Sequence, residues 1–264
     1  MPRFAANLSF LFQDIDFLDR FEVAKNLGFG AVEYLFPYDY AASDIADRLN
    51  ANGLEQALFN LPPGDWEAGE RGFAAVPGRE DDFASAVDTA ARYASALGCK
   101  QVHAMAGLVP ADADINRYRD TYLTNLAYAA NTLGDAGVRV LIEPLNTGDM
   151  PGYFLTGSAQ AVDIIRDVGS DNLCLQYDIY HMQIMEGHLA ASLEALMKFI
   201  GHIQIAGVPG RNEPDTGEIN YPYLFSRLDE LGYEGWVGCE YRPATDTHSG
   251  LGWAAPYGIS AGAK

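Results

Sequence analysis

The chain is poor in positive charge, in cysteine and in long apolar runs. Its 264 residues include 17 Lys and Arg against 36 Asp and Glu, which gives a formal net charge of −19. Proteins that bind nucleic acids or anionic lipid surfaces do so through basic patches. We therefore expect neither a nucleic acid nor a membrane as a partner of this chain. Carboxylates arranged around a cation remain one chemical use of the acidic surplus.

The three cysteines, Cys99, Cys174 and Cys239, are too few and too scattered for a disulfide framework or a CxxC metal site. Each lies within or beside an apolar run, so we expect buried thiols in a reducing compartment. The first residues, MPRF, lack the apolar stretch of a signal peptide, and no segment is long and apolar enough to span a bilayer. These absences together predict a cytoplasmic protein.

Two common catalytic or cofactor-binding loops are also missing. The sequence contains neither the GxSxG motif of a nucleophilic serine nor a phosphate-binding P-loop. The segment after the first apolar run, LSFLF at residues 8–12, contains no glycine. An open doubly wound sheet usually has a glycine-rich phosphate loop at this place, so its absence disfavours that fold.

Short apolar runs alternate with amphipathic stretches along the chain. We predict strands at residues 4–7, 31–36, 56–61, 101–106, 138–143, 173–178, 202–206 and 236–241. We predict helices at residues 15–27, from a cap at Ser43 or Asp44 to before Gly53, and at 81–97, 115–136, 158–168, 189–199 and 221–231. Eight buried strands alternating with helices in a chain of about 250 residues predict an α/β fold, a (β/α)8 TIM barrel. The absence of any linker predicts one domain over residues 1–264.

Four consecutive predicted strands carry a potential metal ligand near their C-terminal ends, where TIM barrels build their active sites. These residues are Glu143, Asp178, Gln204 and Glu240. A single acid at a strand end is usually solvated or caps a turn, so the prediction rests on the coincidence over four neighbouring strands. Three carboxylates in one barrel mouth would repel one another strongly without a cation. Oxygen ligands without a thiolate favour Mg²⁺ or Mn²⁺ over zinc.

Histidine and arginine side chains are candidates for substrate contacts. His181 lies just beyond the sixth run, where it could contact a metal or a substrate, or simply bond to its own loop. His103 lies inside the fourth run and could point to the barrel axis or pack in the wall. Arg211 belongs to a Pro- and Gly-rich loop that could hold its guanidinium in the pocket. His202 shares the face of Gln204 but lies deeper, where a core role is expected.

Nine short motifs run in order through nearly the whole chain. They are FNLPPGDW at 59–66, GERG at 69–72, EPLN at 143–146, DIYH at 178–181, HIQIA at 202–206, PGRNEP at 209–214, GEINY at 217–221, CEY at 239–241 and GLGW at 250–253. With these motifs the chain resembles the hydroxypyruvate isomerase family. That family includes 2-oxo-tetronate isomerases and belongs to the xylose isomerase-like TIM barrels.

The resemblance implies a divalent metal held by four side chains. They are Glu143, Asp178, Gln204 and Glu240. It also implies that Glu143 and Glu240 transfer protons in an isomerase that interconverts hydroxypyruvate and 2-hydroxy-3-oxopropanoate (tartronate semialdehyde) through a cis-enediol. One glutamate takes a proton from C3, and the same or the other glutamate delivers one to C2. We hypothesise that Arg211, His103 or His181 binds the carboxylate of this small oxo-acid substrate.

Several alternatives stay open at the level of sequence. A 2-oxo-tetronate isomerase would use the same machinery on a substrate one carbon longer. A ketose 3-epimerase or a dehydratase could be built on the same barrel. A non-catalytic sugar- or metal-binding module is disfavoured because both proton-transfer glutamates are present. An abasic-site endonuclease is disfavoured by the net charge and by the acid- and amide-rich ligand set. Whether the chain forms a homo-oligomer is also left open.

Overall fold

A computed structural model of the chain describes residues 1–260, and its centre is a closed barrel of parallel strands. Each strand pairs with the next one in sequence, and the last pairs with the first. The strands are β1 (Arg3–Asn7), β2 (Ala31–Glu33), β3 (Glu55–Asn60), β4 (Gln101–His103), β5 (Arg139–Ile142), β6 (Leu173–Asp178), β7 (Ile200–Ile205) and β8 (Trp236–Cys239). This topology confirms the predicted (β/α)8 TIM barrel. Residues 261–264, which end the predicted domain, lie outside the described residues.

Helices cover the outside of the barrel between the strands. They are α1 (Arg20–Asn26), α2 (Ala42–Asn52), α3 (Glu80–Leu97), α4 (Ile115–Asp135), α5 (Ser158–Val168), α6 (Ile179–Met185), α7 (Leu189–Leu196), α8 (Tyr221–Glu230) and α9 (Thr247–Gly250). Two 3₁₀ segments, Phe17–Asp19 and Leu251–Tyr257, lie before α1 and after α9. Within residues 1–260, we find no helix with both the length and the apolar character that crossing a membrane requires.

Four of the strands, β2, β4, β5 and β8, are shorter than the apolar runs that predict them, and β2 and β4 each end three residues early. The fourth run was expected to continue to Ala106, but β4 ends at His103. Beyond that point the carbonyl of Met105 accepts a hydrogen bond from the N–H of Ala74 at 3.2 Å. This backbone therefore pairs with the loop between β3 and α3 and not with a neighbouring strand. β2 likewise ends at Glu33, where its register against β3 shifts.

The beginnings of two helices differ from the prediction. The helix predicted over residues 15–27 begins at Arg20, because the chain before it forms a 3₁₀ turn. The cap predicted at Ser43 or Asp44 is wrong, since α2 already begins at Ala42. Asp44 instead lies in the first turn of α2, where a negative charge interacts favourably with the helix dipole.

The structure also contains helices that the apolar pattern does not predict. α6 follows β6 without a loop, and Asp178 caps it by accepting a hydrogen bond from the N–H of Tyr180 at 2.8 Å. α9 and the 3₁₀ segment after it lie in the Gly- and Ala-rich tail. The helix predicted over residues 189–199 is confirmed as α7, but it ends at Leu196. The capping role of Asp178 links helix formation directly to the end of β6.

Most of the apolar core lies between the strands and the helices, whereas polar side chains occupy the inside of the barrel at the level of Glu33 and Gln204. Fully buried Phe21, Leu126 and Leu193 pack between the helices and the sheet. Burying a side chain of this size contributes about 1.5–3 kcal/mol. Glu33 of β2 contacts His202 of β7 at 2.6 Å, although β1 and β8 separate these strands in the sheet. Such a contact must cross the interior of the barrel.

The cysteines are free thiols, as predicted. Cys99 and Cys239 are buried, whereas Cys174 is only half-buried and therefore departs from the expectation. Burial raises the pKa of the Cys99 thiol to about 12, which leaves it protonated and unreactive.

The close approach of Gly28 to the C-terminal segment gives a test of this packing. Gly28 has a φ of +103°, and a Cβ placed there would lie 2.3 Å from the carbonyl oxygen of Gly258. Gly98 has a φ of +66° with nothing within 4 Å of such a Cβ, so it provides a matched control. We expect Gly98→Ala to reduce the free energy of unfolding by about 1–2 kcal/mol and Gly28→Ala to reduce it by more, in urea titrations. Equal losses would contradict the described packing.

Candidate active site

The polar residues that end neighbouring strands meet at one mouth of the barrel. Asp178 is the last residue of β6 and is paired in register with Gln204 of β7. Glu143 directly follows β5, and Glu240 directly follows β8. All four side chains are buried, with relative exposures of 5% or less. Parallel strands present their C-terminal ends to the same side, which explains why residues distant in sequence converge here.

Glu143 and Asp178 form the centre of a site that could hold a cation. A carboxylate oxygen of each and a ring nitrogen of His181 all lie within 4.8 Å of one another. Among residues 1–260, no hydrogen-bond partner reaches Oε1 of Glu143 or Oδ2 of Asp178. Buried carboxylate oxygens without partners are energetically unfavourable unless a cation or a proton neutralises them. The donor set therefore fits a divalent metal, and its oxygen-rich character fits a hard ion.

Hydrogen bonds from Asn146 determine which ring nitrogen of His181 carries the proton. The Nδ1 atom of His181 accepts hydrogen bonds from the backbone N–H of Asn146 at 3.1 Å and from its side-chain amide at 2.8 Å. The ring proton of the neutral histidine is therefore on Nε2, which lies 3.5 Å from Oδ2 of Asp178. Burial first, and then the nearby charge of Arg211, lower the pKa of His181, which favours this neutral form. A protonated Nε2 is a hydrogen-bond donor and not a metal ligand, so this geometry favours substrate contact.

Arg211 brings a positive charge into the acidic cluster. Its Nη2 lies 3.1 Å from Oε2 of Glu240 and 3.6 Å from Oδ2 of Asp178. The guanidinium also lies between the rings of Phe10 and Tyr180, at 5.0 and 4.9 Å from their centroids. Burial alone would lower the pKa of Arg211, but the surrounding carboxylates raise it above its usual value. The predicted pocket position of Arg211 agrees with the structure.

His103 also faces the site. Its Nδ1 lies 3.5 Å from Oε2 of Glu143, and neither ring nitrogen has a hydrogen-bond partner within the described part of the chain. Burial lowers the pKa of His103 to about 3, so the ring is neutral at physiological pH. A neutral imidazole with both nitrogens unpartnered can donate one hydrogen bond and accept another. Of the two positions left open for His103, the structure shows the one that faces the barrel axis.

Gln204 lies beside the acids, but its amide is engaged on both sides. Its Nε2 donates to Oε1 of Glu33 at 2.9 Å, and its Oε1 accepts from Nε2 of Gln176 at 2.6 Å. A carbonyl oxygen has a second lone pair, so the bond from Gln176 still leaves one acceptor site. The role of Gln204 as a metal ligand stays a prediction.

Burial and mutual repulsion raise the pKa values of the three acids of the site. Burial raises the pKa of Glu240 to about 8, and the charges of Asp178 and Glu33 add to the rise, which Arg211 opposes. Burial raises the pKa of Asp178 to about 6. The pKa of Glu143 is raised well above its ordinary value by burial and by the charges of Glu240 and Asp178. Carboxyl groups with a pKa near neutrality are suited to give and take protons.

A cavity of about 500 Å³ opens above these groups. Its wall includes aromatic residues that the strand-end pattern does not reveal, namely Phe10, Phe36, Trp66 and Tyr180. Phe10 lies in the loop after β1, and the general rule that every βα loop contributes to the mouth of a barrel could have found it. Trp66 lies in the predicted loop motif, and the guanidinium of Arg71 stacks on its ring, 3.9 Å from the centroid.

Comparisons with known proteins agree with this fold. The family profile described as "Xylose isomerase-like TIM barrel" matches residues 21–257. The chain is 59% identical to the 2-oxo-tetronate isomerase of Cupriavidus necator, with 97% of this chain and 99% of that protein covered. It is 52% identical to the hydroxypyruvate isomerase of Escherichia coli K12, with 97% and 100% covered. A crystal structure described as an AP endonuclease, family 2, from Brucella melitensis is 52% identical, covers 97% and 99% of the two chains, and superposes with a TM-score of 0.96.

The chain therefore belongs to the xylose isomerase-like TIM barrel family, among its hydroxypyruvate and 2-oxo-tetronate isomerases. The resemblance deduced from the nine motifs is confirmed. The prediction of an isomerase is also confirmed, because relatives spanning the full chain carry that activity in their names.

The raised pKa values predict how pH and metal affect stability. An acid whose pKa is raised in the fold stabilises it only while protonated, so in EDTA the thermal midpoint should fall between about pH 7 and about pH 8.5. His103 and His181, whose pKa values are lowered, act in the opposite direction but contribute little above pH 7, because histidines in the unfolded chain are already mostly neutral there. Added Mn²⁺ should raise the midpoint, and more so at the higher pH, because it competes with protons.

Glu240→Gln provides the matched control for this measurement. The amide does not titrate, so the fall of the midpoint in EDTA should be smaller in this variant than in the unmodified chain. A midpoint that is constant over this pH window, or a Mn²⁺ stabilisation that does not grow with pH, would contradict the assignment.

Proposed function

We propose that the chain is a metal-assisted isomerase of small 2-oxo acids that interconverts hydroxypyruvate and 2-hydroxy-3-oxopropanoate. A 2-oxo-tetronate, one carbon longer, is the alternative substrate. The observation that carries the proposal is that two buried glutamates with raised pKa values, Glu143 and Glu240, line one cavity with Arg211. Buried Asp178 lies next to them, 3.6 Å from the guanidinium of Arg211. The activities named for the full-length relatives support the same reaction class.

A divalent cation fits the acidic end of this cavity. Four side chains would hold it, and these are Glu143, Asp178, Gln204 and Glu240. Mg²⁺ or Mn²⁺ suits these oxygen ligands. When bound, such an ion polarises the carbonyl and hydroxyl oxygens of a 2-oxo acid and acidifies the adjacent C–H bond.

The two glutamates supply the proton transfers that the isomerisation needs. Hydroxypyruvate must lose a proton from C3 and gain one at C2, while the carbonyl and hydroxyl groups exchange places through an enediol. One of Glu143 and Glu240 takes the first proton as a general base, and the other donates the second as a general acid. The pKa of Glu240, raised to about 8, makes both its protonated and its ionised forms accessible near neutral pH, and burial raises the pKa of Glu143 in the same direction.

The substrate carboxylate needs a local positive charge or hydrogen-bond donors, because the chain as a whole carries a net charge of −19. Arg211 provides the positive charge and is only 13% exposed. His181 provides the Nε2–H, and His103 provides a ring nitrogen facing Glu143. These three side chains are the proposed carboxylate contacts, as the sequence suggests.

Other reactions on this barrel give different products. A 3-epimerase would invert a carbinol carbon, and a dehydratase would release water. The description of the Brucella melitensis structure as an AP endonuclease suggests abasic-site cleavage as another reaction. The net charge of −19 disfavours a nucleic-acid substrate. Incubation of the Mg²⁺-loaded enzyme with hydroxypyruvate, 2-oxo-tetronates, ketoses and abasic DNA separates these reactions by NMR and gel electrophoresis. We also propose a cytoplasmic location. Size-exclusion chromatography with light scattering would determine the oligomeric state.

Replacing either proton-transfer glutamate should remove the reaction. We expect Glu143→Gln and Glu240→Gln to slow turnover of hydroxypyruvate by about 10²- to 10⁴-fold, because each amide can no longer accept or donate the proton. The measurement is NMR in D2O of deuterium exchange at C3. Glu22→Gln, which changes an exposed carboxylate on α1, is the control and should retain full exchange. Exchange at the unmodified rate in both site variants would overturn the assignment.

Removing the guanidinium of Arg211 should weaken substrate binding. We expect Arg211→Met to raise KM for hydroxypyruvate by about 10- to 100-fold, because a hydrogen bond to a charged group contributes about 1.5–3 kcal/mol. Steady-state kinetics at saturating Mg²⁺ measure this effect. Arg71→Met, whose guanidinium stacks on Trp66, is the matched control and should leave KM within about twofold. An unchanged KM in Arg211→Met would exclude Arg211 as the carboxylate contact.

A further inference from the structure

A buried hydrogen-bond network lies beneath the proposed metal site and reaches across the barrel. The carboxylate of Glu33, on β2, accepts hydrogen bonds from Nδ2 of Asn7 at 2.9 Å and from Nε2 of Gln204 at 2.9 Å. Its second oxygen lies 2.6 Å from Nε2 of His202. Nδ1 of His202 in turn lies 3.2 Å from the amide nitrogen of Gln101. Strands β1, β2, β4 and β7 are thus connected through one carboxylate.

The pattern of donors fixes the orientation of each member. The amide nitrogens of Asn7 and Gln204 can only donate, so the carboxylate of Glu33 accepts from both. The amide nitrogen of Gln101 donates to His202, which places the histidine proton on Nε2, facing Glu33. For Gln204 the consequence is that its NH₂ group points to Glu33 and its carbonyl oxygen points away. Gln176 donates to that carbonyl oxygen and sets the same orientation from the other side.

Gly238, on β8, is the residue that makes room for this carboxylate. A Cβ placed at Gly238 would lie 2.3 Å from both carboxylate oxygens of Glu33 and 2.4 Å from its Cδ. Gly238 is also the register partner of Gln204, so the glycine, the glutamine and the carboxylate meet at one level of the barrel. The position of Glu33 is therefore set by sterics as well as by hydrogen bonds.

We propose that Glu33 is a positioning residue that orients the carbonyl oxygen of Gln204 toward the bound metal ion. The inference rests on the metal site of the proposed function, with Gln204 as a ligand. An amide placed with its NH₂ group toward the ion could not coordinate it. Groups that orient metal ligands in this way typically change metal affinity by about 10- to 100-fold when they are altered.

Glu33→Asp separates orientation from charge, because it keeps the negative charge but withdraws the carboxylate by one methylene. Isothermal titration with Mn²⁺ alone should show a Kd about 10-fold or more above that of the unmodified protein. The electron paramagnetic resonance spectrum of bound Mn²⁺ should also change, which a purely structural role would not produce. Gly238→Ala, which keeps Glu33 intact but displaces its carboxylate, should raise the Kd in the same direction. It provides a second variant should Glu33→Asp fold poorly.

Gly201→Ala is the matched control for the glycine substitution. Gly201 lies on the neighbouring strand β7, but a Cβ there would meet Leu141 and Cys174, which are not part of the network. This variant should lose stability in EDTA and retain the Kd for Mn²⁺. A Glu33→Asp protein that loses stability in EDTA but binds Mn²⁺ within about twofold of the original would overturn the inference.

A double-mutant cycle with Gln204→Ala tests whether Glu33 acts through Gln204. We expect Gln204→Ala to raise the Kd, and Glu33→Asp to add no more than about twofold in that background. Full additivity of the two effects would overturn the inference while leaving the metal site intact. An unmodified protein that does not bind Mn²⁺ would instead overturn the metal site of the proposed function, and a Gln204→Ala protein that binds normally would overturn Gln204 as a ligand.

Discussion

The repulsion among three buried carboxylates is the constraint on which the rest of the site depends. Glu143, Asp178 and Glu240 are nearly inaccessible to water, and each has a raised pKa because of that burial. Such a group of acids is stable only when protons or cations neutralise it. The same requirement explains the presence of Arg211 inside the cluster. It also explains how one pocket can both hold a metal ion and move protons.

The barrel provides this arrangement because its closed sheet brings strand ends together that are distant in sequence. The inside of the barrel is polar at the level of Glu33, His202 and Gln204, where each group has a hydrogen-bond partner. Polar groups in such an interior are stable when they are satisfied in this way, and they restrict the conformations of the side chains above them. The chemistry at the mouth and the packing beneath it are therefore parts of one structure.

The sequence predicts the fold and the acids well, for identifiable physical reasons. Alternating buried strands and helices leave few architectures open, and the residue that follows a buried parallel strand must lie at the mouth. The strand pattern alone therefore predicts that Glu143 and Glu240 lie at the mouth of the barrel. The nine motifs add the family and the reaction class, which strand order by itself does not give.

Other features depend on contacts that no local pattern encodes. Glu33 lies at the end of a three-residue strand and reads as part of an apolar run, and its contact with His202 joins strands that are not neighbours. The role of His181 depends on which of its ring nitrogens accepts hydrogen bonds from Asn146, a residue 35 positions earlier in the chain. The helix α6 was missed because its cap, Asp178, was interpreted only as the end of a strand.

In the proposed reaction, the acidic cluster at the barrel mouth acts with a divalent cation to isomerise a 2-oxo acid. NMR in D2O with hydroxypyruvate and protein that has first been stripped with EDTA measures this dependence on the cation. We expect negligible deuterium exchange at C3 in the stripped protein, and exchange with formation of 2-hydroxy-3-oxopropanoate once Mg²⁺ is added. Exchange at the same rate with and without Mg²⁺ or Mn²⁺ would contradict the proposed reaction.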